Sequence, residues 1–327
     1  MWAGPNWVEE GTLWSREQLA RAGIAITGPG EQVRLEAWSA VLRLPTDHGS
    51  YYFKAVAPLH GFEPALTARL AQTSAEAITD VVATDETRRW MLSADAGTRL
   101  RELVHGSNGL RLWEEVLPRY AELQLATAGD RDELIALGVP DQGLATLPRL
   151  FADVLAEDRL LRAGDEGLTR EQVAELRGSV ETYATECARL AAYGIPETIQ
   201  HDDLHDGNVF LQAGRYVFFD WGDSCLSHPF TSLTVTLRAL AWKLDLEPGG
   251  TWARRLLDAY LEPWQAFAAT DDLVNAAELA YRVGTVGRAV AYRRMLGDQL
   301  ETRAEEAESI PYGLRLWCDH GPIGAWR

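Results

Sequence analysis

The spacing of apolar positions changes character twice along the chain. Residues 1–22 carry Trp2, Trp7, Val8, Leu13, Trp14, Leu19 and Ala20 among polar neighbours, a helical rhythm that runs to a turn at Gly23. Ser15 with Gln18 three residues later matches a capping box, so the segment reads as one helix or two short ones. From residue 31 the period falls towards two. Val33 and Leu35 alternate with polar residues, Val41, Leu42 and Leu44 follow, and Tyr51-Tyr52-Phe53-Lys54-Ala55-Val56 closes the run. Turns near Trp38-Ser39 and at residues 47–49 make this a three-strand antiparallel meander. Residues 62–74 return to helical spacing, with Pro64 in the first turn, where its missing N–H costs little. Residues 80–83 and 89–92 read as two more strands.

Beyond Ser93-Ala94-Asp95-Ala96-Gly97 the strand pattern is lost. Helical spacing then dominates, over 110–127, 143–163, 169–192, 229–245, 251–268 and 271–300. The only strand signals in this half are 209–211 and 216–219, a short hairpin around Gln212-Ala213-Gly214-Arg215. The expectation is an α+β chain: a small sheet-rich domain over residues 1–95 with a leading helix, and a large, mainly helical domain over 96–327.

Composition narrows the function classes. No apolar run approaches the ~18 residues that span a bilayer, and Met-Trp-Ala-Gly-Pro-Asn lacks the basic start and apolar core of a secretory signal. A cytoplasmic protein without a membrane partner is expected. The net charge of −17 argues against nucleic acid, which needs a basic surface. Cys187, Cys225 and Cys318 are scattered and odd in number, which suits reduced, mostly buried thiols and neither a disulfide framework nor a metal site.

The densest group of ionisable side chains is His201-Asp202-Asp203-Leu204-His205-Asp206-Gly207-Asn208, followed after the hairpin by Phe219-Asp220-Trp221-Gly222-Asp223. Asp203 and Asn208 stand five positions apart, and Asp220 ends an apolar run just before a glycine turn. Phosphoryl transfer needs this order: a carboxylate that orients or deprotonates the acceptor hydroxyl, then oxygen ligands for Mg2+ on the nucleotide phosphates. Asp202 is adjacent to Asp203, but spacing to Asn208 selects Asp203, and in an extended segment the two would point opposite ways. His201 and His205 suit bracing of the loop. They also resemble a zinc-binding His-Glu-x-x-His pair, although that motif needs a helix and Gly194-Ile195-Pro196 leaves little room for one.

The stretch from Gln200 to Val209 with Phe218-Phe219-Asp220-Trp221-Gly222-Asp223 resembles the signature of the aminoglycoside phosphotransferase and choline kinase family, small-molecule kinases with a protein-kinase-like two-lobe fold. The resemblance implies ATP and Mg2+, with Asp203 catalytic and Asn208 and Asp220 holding the metal. It implies a strand lysine on the α and β phosphates paired with a helix glutamate. Lys54 sits on the third strand of the meander in a chain whose 31 basic residues are nearly all Arg, and Glu63 opens the next helix, with Glu76 as the other candidate partner. A Gly-rich phosphate loop is missing; Glu36-Ala37-Trp38-Ser39-Ala40 stands in its place, where backbone N–H groups and the Ser39 hydroxyl can meet a phosphate. Ser93, Ala94 and Asp95 form the expected hinge beside the adenine. Asp223 matches a family acid that braces the loop, whereas Ser227-His228-Pro229 departs from the family's Gly-Asp-Pro. The acceptor, a small-molecule hydroxyl, is expected among the C-terminal helices, with Arg282, Arg288, Tyr292, Arg293, Asp298 and Trp317 as candidate lining residues; Glu301, Glu305, Glu306 and Glu308 read as a solvated acidic run. Two other function classes stay open: a nucleotide-binding pseudokinase acting as a regulatory module, and a zinc metallohydrolase.

Overall fold

The structure is a computed structural model that describes residues 6–161, 167–247, 250–297 and 303–319. Asp298 and Glu301 lie outside the described residues, as does the side chain of Glu305. In chain order the described strands are β1 (Glu31–Leu35), β2 (Ser39–Thr46), β3 (Gly49–Val56), β4 (Val81–Asp85), β5 (Trp90–Ala94), β6 (Thr98–Arg99), β7 (Thr198–Gln200), β8 (Val209–Gln212), β9 (Arg215–Phe218) and β10 (Cys225–Ser227).

The chain forms two compact units. The first comprises residues 1–100, 136–139 and 207–222; the second comprises 101–135, 140–206 and 223–327. This differs from a single cut between residues 95 and 96, because the hairpin carrying Asn208 and Asp220 clusters with the first unit.

In the first unit β1, β2, β3, β5 and β4 make one antiparallel sheet in that order. Leu42, Leu44, Phe53, Ala55 and Leu92 are buried together with Leu19 of the helix Trp7–Arg21. Trp14, Phe53 and Trp90 meet edge to face, with ring centroids 5.2–5.8 Å apart. The helix is continuous through Ser15, so the capping-box expectation fails there. Ser15 is buried in mid-helix, and its hydroxyl donates to the Gly11 carbonyl one turn back at 2.7 Å. Because side chains alternate across a strand, a β3 that commits Phe53 to this core turns Lys54 to the opposite face of the sheet. A second sheet, β6–β8–β9, carries the hairpin.

The second unit is mainly helical. Its longest described helices are Gly106–Ala126 and Thr270–Leu296. Gly284 lets the latter approach closely, since a Cβ there would lie 2.4 Å from the Thr234 hydroxyl. The predicted 169–192 helix is divided at Ser179 into Arg170–Gly178 and Val180–Ala191. The small sheet of β7 and β10 was not expected. Each strand has only three residues, all buried, so no alternation could mark them.

Candidate active site

Within the first unit Lys54 is 3% exposed, and its Nζ donates to Oε1 of Glu63 at 2.5 Å and to Oδ1 of Asp220 at 2.6 Å. Burial pulls the ammonium pKa down, but Asp220 and Glu63 outweigh it, and the pKa rises above the ordinary lysine value. Burial likewise pushes the Glu63 carboxyl up against the pull of Lys54. The open choice between Glu63 and Glu76 is thereby resolved in geometry: Glu63 is buried and ion-paired, and Glu76 is exposed. Asp220 has φ +65°, the left-handed region that Asp tolerates better than most side chains. Its Oδ2 accepts from Nη1 of Arg34 on β1 at 3.2 Å. Gly222 is needed two residues later, because a Cβ there would sit 3.0 Å from the His60 ring and 3.1 Å from Oε2 of Glu63.

Asn208 precedes β8, and its carbonyl accepts from the Phe219 N–H at 2.9 Å. This bond closes the open end of the β8–β9 hairpin and brings Asn208 and Asp220 to that end. An amide and a carboxylate offering oxygen fit the donor preference of Mg2+. Ser39 begins β2; its hydroxyl is buried and has no hydrogen-bond partner in the protein. An orphaned buried donor beside the β1–β2 turn fits a phosphate oxygen. Ser93 is buried within β5, between β3 and β4. The Ala94 N–H donates to Asp80, and its carbonyl accepts from Thr79. Asp95 shapes the following turn, its Oδ1 accepting from the Gly97 N–H at 2.8 Å. The Asp95 carbonyl accepts from Gln212 Nε2.

The second unit holds Asp203 in a loop whose backbone is pinned residue by residue. The His201 N–H donates to Tyr120 Oη at 2.9 Å, the Asp203 N–H to His201 Nδ1 at 3.3 Å, and Thr236 Oγ1 to the Leu204 carbonyl at 2.9 Å. Arg101 then binds Asp206 by main chain and side chain. Residues 201–206 are not helical, so His201 and His205 do not form a helical zinc pair. Among the described residues no group of three or more His, Cys, Asp or Glu is placed to hold a metal ion. Asp202 is not extended, as expected, but left-handed, with φ +60°. The adjacent carboxylates still have distinct surroundings: Asp202 is 4% exposed, and its carboxyl is pushed up to about 6 by burial, against Arg288.

Asp203 goes the other way. Burial raises its pKa, but the His205 imidazole and the Arg288 guanidinium hold it down at about 2. Oδ2 of Asp203 lies 3.4 Å from His205 Nε2, and Oδ1 accepts from Arg288 Nη2 at 3.1 Å. His205 is in turn pushed up to about 9, its loss by burial outweighed by Asp203 and Asp206. Its folded pKa exceeds the unfolded value of ~6.5. The linked stability is therefore fully present below about pH 6.5 and lost as pH rises through 9. The stability difference between wild type and His205→Gln, followed by urea unfolding, should shrink over that window. A difference independent of pH from 6 to 10 would contradict a charged His205.

Several expected acceptor residues lie elsewhere. Trp317 is 1% exposed and packs on Tyr183, and Arg282 stacks on Trp317 and pairs with Glu186. Trp317 belongs to the core, because the helix Ser309–Cys318 turns it inward, and Arg282 is half-buried against it. A half-open cleft of about 420 Å³ is lined instead by Gln142, Leu150, Glu157, Val290, Arg293 and Arg294, among others. Gln142 is 3% exposed, and its Nε2 has no hydrogen-bond partner in the protein. Arg34 and Arg294 carried no signal in the sequence, since the groups they bind, Asp220 and the Asp223 carbonyl, lie far along the chain, and Gln142 carried none either.

Comparison with known proteins supplies the context. No curated protein matches the sequence. Similar solved structures include an ethanolamine kinase of Plasmodium vivax (13% identity, 87% of this chain and 81% of that one, TM-score 0.60). The choline kinase LicA of Streptococcus pneumoniae is similar at 11% identity, covering 95% and 100%, with TM-score 0.60. An amicoumacin kinase in complex with AMP-PNP, Ca2+ and Ami is similar at 13% identity, covering 98% of each chain, with TM-score 0.53. At such identities the likeness is one of fold, the protein-kinase-like plan of an antiparallel-sheet unit and a helical unit. No helix of the described residues is long and apolar enough to cross a membrane. Residues 30–273, about three quarters of the sequence, match the phosphotransferase enzyme family, and the chain belongs to that family of small-molecule kinases.

Proposed function

We propose that the protein is an ATP- and Mg2+-dependent kinase that phosphorylates a hydroxyl of a small molecule: a sugar, an aminosugar or an amino alcohol. The observation that carries this reading is the buried Lys54 held between Glu63 and Asp220. A lysine this enclosed, and kept charged by two carboxylates, is suited to neutralising the α and β phosphates. Asn208 and Asp220 would hold Mg2+, which when bound offsets charge on the phosphate oxygens. Ser39 would donate its orphaned hydroxyl to a phosphate, and the turn from Ser93 to Asp95 would border the adenine. Asp203 accepts the hydrogen bond of the acceptor hydroxyl and aims its oxygen at the γ-phosphorus. The new O–P bond forms as the bond to ADP breaks, and the hydroxyl proton passes towards Asp203 and out to solvent. The cleft at Gln142 and Arg293 is the proposed acceptor pocket, with Gln142 Nε2 donating to an acceptor oxygen. An ATP-consuming reaction fits the cytoplasm expected from the sequence.

The names of the similar structures set the first acceptors to try. ADP release would be followed with ethanolamine, choline and amicoumacin, and with the aminosugars and simple sugars of the proposed acceptor class, with Mg2+ and after its removal by chelation. Mg2+-dependent release with at least one alcohol is expected, together with phosphate on the product. Tight Mg·ATP binding without turnover of any acceptor would favour the regulatory pseudokinase instead.

A further inference from the structure

Arg288 lies in the middle of the helix Thr270–Leu296, far along the chain from the Asp203 loop, and its side chain is 15% exposed. On the reading that Asp203 serves the acceptor hydroxyl, we propose that Arg288 is a positioning residue for phosphoryl transfer. Its guanidinium clamps Asp202 and Asp203 together, so that the Asp203 carboxylate is presented in one orientation.

The donors are divided among distinct targets. Nη1 donates to the Asp202 carbonyl at 2.6 Å and to its Oδ2 at 3.3 Å, and lies 3.9 Å from Oδ2 of Asp223. Nη2 donates to Oδ1 of Asp203 at 3.1 Å and to the Tyr292 hydroxyl at 3.3 Å. The guanidinium carbon stands 4.6 Å from the centre of the Tyr292 ring, one helical turn on. The fork is thus oriented from its own helix before it meets the loop, which a flexible ammonium could not be. Asp202 is where such a clamp has most effect. Its left-handed backbone, φ +60°, is less favourable than an ordinary conformation for a non-glycine residue. Arg288 fixes it through the carbonyl and the side chain at once, and the same group grips the next carboxylate.

A purely structural role would be to neutralise the buried Asp202. That role predicts lost stability and nothing more. It does not account for the bond to Asp203, whose other oxygen faces His205. The charged groups around the pair are His201, His205, Asp202, Asp223, Arg294 and Tyr292. Arg288 and His205 hold the Asp203 carboxylate from its two oxygens.

The test compares wild type, Arg288→Ala, Arg288→Lys and Asp203→Asn. Turnover is read as ADP release from Mg·ATP, with water as acceptor and with any alcohol found active; ATP affinity is read by calorimetry and folding by urea unfolding. Arg288→Ala should lose about 100-fold in kcat, the cost of a misplaced catalytic group, with ATP affinity within about threefold. Its acid limb in kcat, which in wild type lies below pH 5, should move up by about one pH unit or more, because a cation next to the carboxylate is gone. Arg288→Lys keeps the charge and loses the fork, so its acid limb should stay near wild type while kcat remains depressed. Added guanidinium should restore part of the Arg288→Ala rate. A folded Arg288→Ala with near wild-type kcat, or one with lost stability but an unmoved acid limb, overturns the proposal. If Arg288→Ala does not fold, Arg288→Lys decides alone: wild-type kcat there overturns it. Full activity in Asp203→Asn would instead remove the role given to Asp203, whatever Arg288 does.

Discussion

Replacing Asp203 by Asn should lower kcat by about 10²–10⁴-fold, the usual contribution of a positioned acid–base group, and leave ATP affinity nearly unchanged. Asp203 belongs to the second unit, whereas Lys54, Asn208 and Asp220 belong to the first, so the groups proposed to hold the nucleotide are untouched by the change. The size of the effect follows from what the carboxylate can do. With its pKa held near 2 by His205 and Arg288, against burial, Asp203 is a weak base at neutral pH. Phosphoryl transfer passes through a loose transition state with little demand for early proton removal, so orientation of the hydroxyl is the larger service. An amide keeps one acceptor oxygen but loses the charge and can turn its N–H₂ towards the acceptor. The pH profile discriminates further. Wild-type kcat should show no acid limb from Asp203 between pH 5 and 8, because the group stays ionised throughout. A limb centred near 6 that vanished in Asp202→Asn would give the catalytic role to Asp202, whose carboxyl burial pushes up to about 6. Near wild-type kcat in a folded Asp203→Asn would remove Asp203 from the chemistry.

What the sequence disclosed follows the range of the interaction involved. The meander was legible because an alternating strand writes its buried face into adjacent residues, and Phe53 beside Lys54 is that signal. The spacing of Asp203, Asn208 and Asp220 was legible because all three fall within 18 residues, with Asn208 and Asp220 flanking one hairpin. The pairing of Lys54 with Glu63 spans only nine residues and was within reach. Arg288 and Asp203 are 85 residues apart, and Arg34 and Asp220 are 186 apart, so no local pattern shows either pairing, and Arg288 was expected only as an acceptor-lining residue. The errors have the same origin. Ser15 and Gln18 satisfied a four-residue motif in a helix that had begun two turns earlier, and only the contact with Gly11 shows it. Trp317 and Arg282 carry pocket-like chemistry, but Trp317 donates to Ser179 and meets Tyr183 edge to face in the core. The turn at Asp202 was hidden because an adjacent pair of acids says nothing about φ.

Lys54→Met should both abolish turnover and destabilise the fold, and a second substitution separates the two effects. Lys54 and Glu63 are 3% and 1% exposed, so removing the ammonium strands a buried carboxylate. Breaking a buried ion pair from one side costs ~3–5 kcal/mol, whereas replacing both partners by apolar groups is often neutral or stabilising. Asp220 is relieved in part, because Arg34 still reaches its other oxygen at 3.2 Å. Urea unfolding should therefore show Lys54→Met less stable by about 3–5 kcal/mol, with Lys54→Met/Glu63→Leu recovering most of the loss. ADP release should stay absent in both, because the phosphate-neutralising charge is missing in each. Lys54→Arg is the stringent control: it keeps a charge, but a planar fork cannot fit an ammonium held at 2.5 and 2.6 Å by two carboxylates, so activity should remain low. Recovery of turnover in the double variant would mean that Lys54 serves the fold alone, and the nucleotide reading would lose the observation it rests on.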